Sequence, residues 1–331
     1  MAVLVTGGAG YIGSHMAMAL ADAGEEVIVL DDLSVGLRGA VDRRARLVVG
    51  DTGDSALILR IIAKYGVEDI VHFAAKIVVP DSVADPLGYY LTNTANSRAL
   101  IAAAVNARVK RFVFSSSAAV YGMPEKSPVA EDAPLLPISP YGSSKLITEW
   151  MLRDAAAAHG IGYAALRYFN VAGADPAGRA GQSAARATHL IKIASEFALG
   201  KRERMDVYGT DYPTPDGTCI RDYVHVTDLV AAHLDALRHL RDGGGNLVLN
   251  CGYGHGYSVL EVLDAVRKAS GVELPVVMSP RRPGDPPTLV ARADRISSEL
   301  NWRPRYDDLA TIVEHALTWE RKLPAKPLAA A

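Results

Sequence analysis

VLVTGGAGYIGSH, residues 3–15, places glycine at 7, 8, 10 and 13 directly behind a short apolar run that reads as a buried strand. A strand that passes through a tight glycine turn into a helix brings backbone N–H groups and the positive helix end against a pyrophosphate, with no Cβ atoms to hold it off. The spacing of Gly7, Gly10 and Gly13, G-x-x-G-x-x-G, differs from the commoner G-x-G-x-x-G, and a glycine loop alone also suits an ordinary strand, turn and helix. The next element separates the two readings. A helical run from Ile12 to about Ala23 is followed by EEVIVLDDL, a second strand ending in Asp31 and Asp32, where a carboxylate is placed to accept from an adenosine ribose. The sequence thus points to a dinucleotide site that prefers NAD to NADP. Arg38, Arg43 and Arg44 follow in the same loop and keep a reader of a 2′-phosphate open, with a solvated charged loop as the competing account.

Outward from this unit, strand-like runs at 2–6 and 26–30 recur at 46–49, 69–73, 111–115 and 163–168, with helical stretches between most of them. That alternation predicts a parallel sheet covered by helices on both faces, and crossover handedness makes it a doubly wound α/β (Rossmann) sheet with ligands at the carboxyl ends of its strands. Residues 1–175 are expected to form this domain. Beyond them, YGTDYPTPDGTCIRDY and PRRPGDPP are turn-rich, so 176–331 is expected to be mainly a smaller C-terminal α/β lobe, with the stretch at about 220–255 returning to the first domain. The tail PAKPLAAA is expected to be disordered.

With 331 residues the chain can bury a large core. Its 35 Lys and Arg against 37 Asp and Glu give a formal charge of −2, and no basic stripe with interleaved aromatics argues for a nucleic-acid partner. Cys219 and Cys251 lie far apart and form no C-x-x-C, which speaks against a disulfide framework or a metal site and suits a reducing cytoplasm. No apolar run approaches the roughly 18 residues of a membrane span. The expected protein is cytoplasmic, with no membrane partner.

Two further stretches carry chemistry. FVFSSSAAVYG runs from a strand into a loop at the sheet's carboxyl edge and delivers Ser115, Ser116 and Ser117 to the place where a nicotinamide would lie. SPYGSSK opens a helix with Ser139 as N-cap, Pro140 in the first turn, and Tyr141 and Lys145 four apart on one face. A phenol with a pKa of about 10 is a poor base until a nearby cation stabilises its phenolate, and Lys145 is that cation on this reading. The bland alternatives are a surface pair of Lys145 with Glu149, a core tyrosine and a turn serine. Together, and downstream of a nucleotide loop, the three residues favour catalysis.

These stretches, with LRYFNVAGADP, GTCIRDYVHVTDL and RRPGD, give the chain a resemblance that covers nearly its whole length: it resembles the extended short-chain dehydrogenase/reductase family, most closely the UDP-glucose (UDP-galactose) 4-epimerases within it. The resemblance implies Tyr141 as acid/base, Lys145 as the group that lowers its pKa and holds the nicotinamide ribose, and Ser117 as a bridge between sugar hydroxyl and phenol. It implies NAD contacts from Gly7, Gly10, Tyr11, Ile12, Gly13, Asp31, Asp51, Thr52, Phe73, Ala74, Ala75, Asn93, Ser115 and Phe169, besides Tyr141 and Lys145. For a UDP-sugar it implies Ser117, Tyr141, Tyr168, Asn170, His189, Leu190, Asp206, Val207, Tyr208, Arg221, Arg282, Asp285 and Leu289. Arg221, Arg282 and Asn170 suit a diphosphate chemically, since guanidinium groups bind phosphate in bidentate fashion. For Arg281 and Arg282 a solvated turn is the rival account. Two departures stand out: HFAAKIVV carries Lys76 one position before the lysine of many relatives, and the surroundings of Asn93 are altered. A homodimer is also implied, through the helix near 88–106 and the one beginning at Tyr141, with Leu100, Ala104, Leu146, Trp150 and Ala157 as candidate apolar contacts.

The reaction class turns on SSAAVYG. Nucleotide-sugar dehydratases and decarboxylases that resemble this chain place an acid just before V-Y-G for proton transfer at the neighbouring carbons. Ala118 and Ala119 cannot transfer a proton, which leaves oxidation at C4 of the sugar and return of the hydride to its other face. An epimerase of another UDP-sugar, with an N-acetylhexosamine, pentose or uronate, is the alternative, and Leu289 is read as a gate of intermediate size beside the sugar's C2 group. An NAD(P)-sensing regulator on the same fold is disfavoured by the intact Ser117, Tyr141 and Lys145.

Overall fold

The computed structural model describes residues 1–184, 187–282 and 284–324; most of the tail expected to be disordered, 325–331, lies outside the described residues. Strand β1 (Ala2–Thr6) has every residue buried, and it runs through the glycine turn into α1 (Tyr11–Asp22) and then β2 (Glu26–Asp31). Next come β3 (Arg46–Val49), α2 (Ser55–Tyr65) and β4 (Val67–His72). Helix α2 is capped at one end by Asp54, whose side chain accepts from Leu57 N, and closed at the other by Gly66 in the left-handed region.

After β4 the chain forms two short helices, α3 (Val79–Ala84) and α4 (Pro86–Tyr89), a wide π-type turn at Tyr90–Ala95, and α5 (Asn96–Asn106). The sequence reads as one helix over that last stretch; the π turn interrupts it at Asn93. Strand β5 (Arg111–Ser115) leads through a short turn at Ala118–Tyr121 to α6 (Pro140–His159), followed by β6 (Gly162–Tyr168) and β7 (Asn170–Ala172). The rest comprises α7 (Leu190–Ala198), β8 (Asp206–Tyr208), β9 (Ile220–Arg221), β10 (Tyr223–His225), α8 (Val226–Arg241) and β11 (Leu247–Cys251). Then follow β12 (Tyr257–Ser258), α9 (Val259–Ser270), β13 (Val277–Ser279), β14 (Thr288–Leu289), α10 (Asp294–Glu299) and α11 (Leu309–Lys322).

Seven strands form one parallel sheet in the order β11-β6-β5-β4-β1-β2-β3. The order reverses beside β1, where β2 lies on one side and β4 on the other. A crevice at the carboxyl ends of the strands follows from that reversal. The sheet has an apolar layer on each side: α1 and α8 pack on one with Met16, Leu20, Val230 and Leu237, and α2, α5 and α6 on the other with Ile58, Leu100, Ala104 and Leu152. A third core cluster joins α7, α9 and α11 around Ile191, Val262 and Ile312. Small sheets only two or three strands wide complete the fold: β10 with β7, β13 with β8, and β12-β9-β14.

This packing corrects the expected subunit face. Leu100, Ala104 and Leu146 are 0–3% exposed and belong to the protein's own core; of the five positions, Trp150 is 45% exposed and Ala157 is also open. Among the described residues no helix is long and apolar enough to cross a membrane, and no cluster of His, Cys, Asp and Glu could hold a metal.

Candidate active site

The glycine turn closes on itself before it meets any ligand. Gly10 N donates to Gly7 O over 3.1 Å, and Gly7 sits at φ +70°, where a Cβ would lie 2.6 Å from Ala74 N. Gly10 is the N-cap of α1 and provides no side-chain cap, and no acidic residue stands in the first turn. The first-turn amides at Tyr11, Ile12 and Gly13 thus face an open, Cβ-free cradle, the donor set an anionic pyrophosphate requires. Asp31 at the end of β2 is buried and accepts from Ala9 N and Leu33 N, each over 2.9 Å, which fixes its carboxylate beside the turn. Arg44 does not reach into this crevice: it pairs with Asp42 and Asp22 at the surface. These residues fit a dinucleotide.

Around the cradle, Asp51 accepts from Gly53 N and Asn96 Nδ2, and Thr52 beside it is buried. Phe73, Ala74 and Ala75 follow β4 at the carboxyl edge and are partly buried. Asn93 is 3% exposed and fully engaged: Oδ1 accepts from Lys76 N over 2.8 Å, and Nδ2 donates to Lys76 O and to Ser144 Oγ. The main chain of Lys76 is therefore pinned to the π turn. Its ammonium points outward, lies 5.6 Å from the centre of the Tyr89 ring and pairs loosely with Asp85, so the shifted lysine takes no place in the crevice.

Ser139 caps α6 by accepting from Gly142 N, and Pro140 occupies the first turn. That fixes Tyr141 and Lys145 on the buried face, 6% and 3% exposed. Lys145 Nζ donates to Ser115 O over 2.8 Å and lies 5.9 Å from the centre of the Tyr141 ring. The surface pair with Glu149 is absent, because the Glu149 carboxylate is taken by Arg167 and Ser116. Burial pushes the Lys145 ammonium down to about 7, with Glu149 acting the other way. It drives the Tyr141 phenol well above its usual range, aided by the neighbouring Tyr168, while hydrogen bonding from Ser117 acts against that rise. The sequence assigns Lys145 the lowering of that phenol; in the folded chain its ammonium is turned to the Ser115 carbonyl, and burial dominates both groups. Phe169 is buried beside Ala118, Val120 and Leu146.

On the opposite side, β9 brings several expected sugar-nucleotide residues together. Arg221 stands opposite Leu289 in the β9–β14 pair and forms an ion pair with Asp285. Asn170 N donates to Asp222 O over 2.9 Å, in the pairing of β7 with β10, the strand that follows β9. Leu289 is half-buried and packs on the cluster of Ala118, Val120 and Phe169, close to the serine turn. Arg282 stacks on Tyr208, 4.0 Å from its ring centre, and Arg281 pairs with Asp211. Asp206 is engaged by Arg204 and Ser279, and Val207 is fully buried in the lobe's core. His189 and Leu190 begin α7; His189 Nδ1 lies 2.8 Å from Gln182 Nε2, and no described contact joins it to Arg221 or Arg282. Burial lowers its pKa.

Two residues at this site have no place in the sequence reading: Glu149, there only a bland partner for Lys145, and Arg167. The available signal was an arginine inside the otherwise apolar strand run YAALRYF, which must meet a buried partner.

Comparison with known proteins identifies the family. Residues 3–252 match the NAD dependent epimerase/dehydratase family. A UDP-glucose 4-epimerase of Azospirillum brasilense is 57% identical over 321 residues, 97% of this chain and 92% of that one. The crystal structure of UDP-glucose 4-epimerase from Brucella ovis in complex with NAD superposes with a TM-score of 0.93 at 45% identity, over 96% of this chain and 97% of that one. The enzyme from Bifidobacterium longum in complex with NAD⁺ and UDP gives 0.93 at 38% identity, over 97% and 98%.

Proposed function

Because the chain belongs to the NAD-dependent epimerase/dehydratase family, we propose that it interconverts UDP-glucose and UDP-galactose by transient oxidation at C4 of the sugar. The protein is an NAD-dependent isomerase, and NAD is its cofactor. The observation that carries the reading is the buried trio of Ser117, Tyr141 and Lys145 at the carboxyl edge of a sheet whose glycine cradle fits a pyrophosphate, with only alanines at 118 and 119.

When bound, NAD accepts the hydride from C4 and returns it to the other face of the 4-keto sugar. The chain's own residues do the rest. Amides at the start of α1 hold the pyrophosphate, and Asp31 accepts from the adenosine ribose. Lys145, with one ammonium proton on Ser115 O, turns the others to the nicotinamide ribose. The step requires Tyr141 as phenolate, a form that burial alone disfavours and that the positive charges of Lys145 and a bound oxidised nicotinamide would favour; in that form its oxygen takes the O4 proton as the C4–H bond breaks and gives it back as that bond re-forms, so no net proton is consumed. Ser117 bridges O4 and the phenol. Arg221 and Arg282 neutralise the diphosphate, and Asp285 accepts from the uridine ribose.

We assign the protein to the cytoplasm on its two unpaired buried cysteines, Cys219 and Cys251. The homodimer is also a proposal, now with a revised face: Leu87 and Leu91, 79% and 62% exposed, lie with Trp150 on the elements leading into α5 and on α6. Light scattering that gave a monomer at micromolar concentration would remove it.

The deciding experiment is incubation of the purified protein with UDP-glucose, without added cofactor, and detection of UDP-galactose. Tyr141→Phe should lower turnover at least about 100-fold with NAD still bound, since it removes a proton-transfer group and little else. A loss below tenfold rejects the assignment.

A further inference from the structure

We propose that Glu149 is a positioning residue for this reaction: its buried carboxylate, held by Ser116 and Arg167, locks the serine segment 115–117 onto the helix that carries Tyr141 and Lys145. The inference rests on the catalytic reading above and adds to it a residue outside the trio.

Glu149 and Arg167 are each 4% exposed, and Ser116 is completely buried. Arg167 Nε donates to Glu149 Oε1 over 3.0 Å and Nη2 to Oε2 over 2.7 Å, a two-pronged contact. Ser116 Oγ donates to Oε1 over 2.5 Å. The remaining prong of Arg167, Nη1, donates to Tyr121 Oη and Glu131 O. Tyr121 in turn donates to Asn250 Oδ1, and Asn250 Nδ2 to Val129 O. The side chains of Glu149, Ser116, Arg167, Tyr121 and Asn250 are thus all partnered, and the strands β6 and β11, the turn after β5 and helix α6 are joined by directional bonds.

The placement matters more than the count. Lys145 and Glu149 are one helical turn apart on the same face of α6, and they grip consecutive residues: Lys145 takes the Ser115 carbonyl and Glu149 the Ser116 hydroxyl. The next residue is Ser117, beside the Tyr141 phenol. Two adjacent anchors fix both the position and the rotation of the segment, where one alone would allow it to swing. Stability supplies no strong reason for such a device, because a buried ion pair is often replaced by apolar side chains of similar volume without loss. Directional register does: a misplacement of about 1 Å at reacting groups lowers rates about 100-fold.

The test uses the full-length protein with its bound NAD and four variants: Ser116→Ala, the paired replacement Glu149→Met with Arg167→Met, the pair combined with Ser116→Ala, and Tyr141→Phe. Turnover of UDP-glucose and UDP-galactose, KM, melting temperature and NAD content are measured for each. Ser116→Ala should lose about 10-fold in kcat, and the paired variant about 100-fold, with KM within about threefold and NAD retained, because the loss lies in the geometry of the step and not in binding. Adding Ser116→Ala to the pair should lower kcat no further, since the serine acts through the carboxylate. If Ser116→Ala and the paired variant both keep kcat within threefold of the starting enzyme, or if their losses appear only in KM and melting temperature, Glu149 is a structural residue and the proposal falls. Should the paired variant fail to fold, Ser116→Ala decides by the same criteria. An active Tyr141→Phe would instead overturn the catalytic reading itself, a result these other measurements cannot imitate.

Discussion

Gly13→Ala should cost the protein its cofactor while leaving the fold nearly intact. In an exposed helix the change would stabilise by about 1 kcal/mol, because alanine loses less backbone entropy than glycine. At position 13 the new Cβ would lie 2.2 Å from Gly7 O, 2.8 Å from Gly7 C and 2.9 Å from the Gly8 Cα. All three are backbone atoms, so no side chain can rotate away. Relief requires the Gly7–Gly8 turn to retreat by about 1 Å to reach ordinary contact, at roughly 1–3 kcal/mol by analogy with overpacking. The gain and the loss nearly offset, and the melting temperature should fall by only a few degrees.

The displaced atoms, however, are those that form the cradle. Gly7 O accepts from Gly10 N over 3.1 Å, and hydrogen bonds weaken steeply beyond about 3.2 Å, so moving it also moves the helix N-terminus that faces the pyrophosphate. Two charge-assisted bonds lost at about 1.5–3 kcal/mol each predict an NAD affinity lower by about 10²- to 10⁴-fold. Calorimetric titration of stripped protein with NAD measures this directly. Gly39→Ala is the control, since a Cβ there meets nothing within 4 Å. If Gly13→Ala binds NAD within tenfold of the starting protein, the cradle is not where the cofactor sits.

Three further outcomes follow from the same geometry. Lys145→Ala should reduce both turnover and the NAD that survives gel filtration, as one ammonium serves Ser115 O and the ribose; unchanged values for both would return the lysine to a packing role. Stability should decline as pH falls from about 6.5 towards 4: burial holds His72 and His225 down to about 3 and His233 to about 4, so the unfolded chain gains protons there that the folded chain refuses. Asp222, pushed up to about 6 by burial, works the other way between about 4 and 6, so these four groups leave a net loss of about two protons' worth, roughly 2.7 kcal/mol per pH unit near pH 5; a flat melting temperature from pH 7 to 5 refutes it. Leu289→Ser should raise kcat/KM for UDP-N-acetylglucosamine relative to UDP-glucose by about 5- to 150-fold, the range set by relieving about 1–3 kcal/mol of overlap, and an unchanged ratio removes Leu289 as a gate.

The nucleotide domain was legible because its signals are local. Buried strands such as AVLVT and EVIVLD declare themselves within five or six residues, and Ser139, Pro140, Tyr141 and Lys145 fall within the first two helical turns of rule-bound chemistry. The small lobe offers no such periods. Strands β9, β12 and β14 are two residues long, too short for any alternation, and Arg221 meets Asp285 across 64 residues of sequence. Three of the five candidate subunit contacts, Leu100, Ala104 and Leu146, prove to be core for a different reason. Helix α5 buries Leu100, Ile101, Ala103 and Ala104 against its own sheet, and an apolar residue on a helix does not reveal whether a core or a second copy covers it. The pair of Glu149 and Arg167 was hidden in plain view, since a glutamate four residues after a lysine reads as its natural partner until a strand 18 residues later claims it.

A second buried polar chain links the cofactor turn to the catalytic helix, and its protonation state can be worked out from its ends. Thr6 at the end of β1 lies 2.6 Å from His72 Nδ1, His72 Nε2 lies 2.8 Å from Ser97 Oγ, and Ser97 Oγ donates to Asn93 O over 2.6 Å. Because the only proton of Ser97 is spent on Asn93 O, its oxygen must accept from His72 Nε2–H, which leaves Nδ1 to accept from the Thr6 hydroxyl. The ring is therefore neutral, as burial and the nearby Lys145 demand. Asn93 then passes the connection on through Nδ2 to Ser144, three residues after Tyr141. A proton added to Nδ1 would set two donors against each other at Thr6 and force a hydroxyl to turn within a closed core. His72 is thus one of the three buried histidines that make the fold acid-sensitive, placed where β1, β4 and α6 converge, and the histidine of HFAAKIVV serves the site as a fixed neutral strut with no part in the proton transfer at Tyr141.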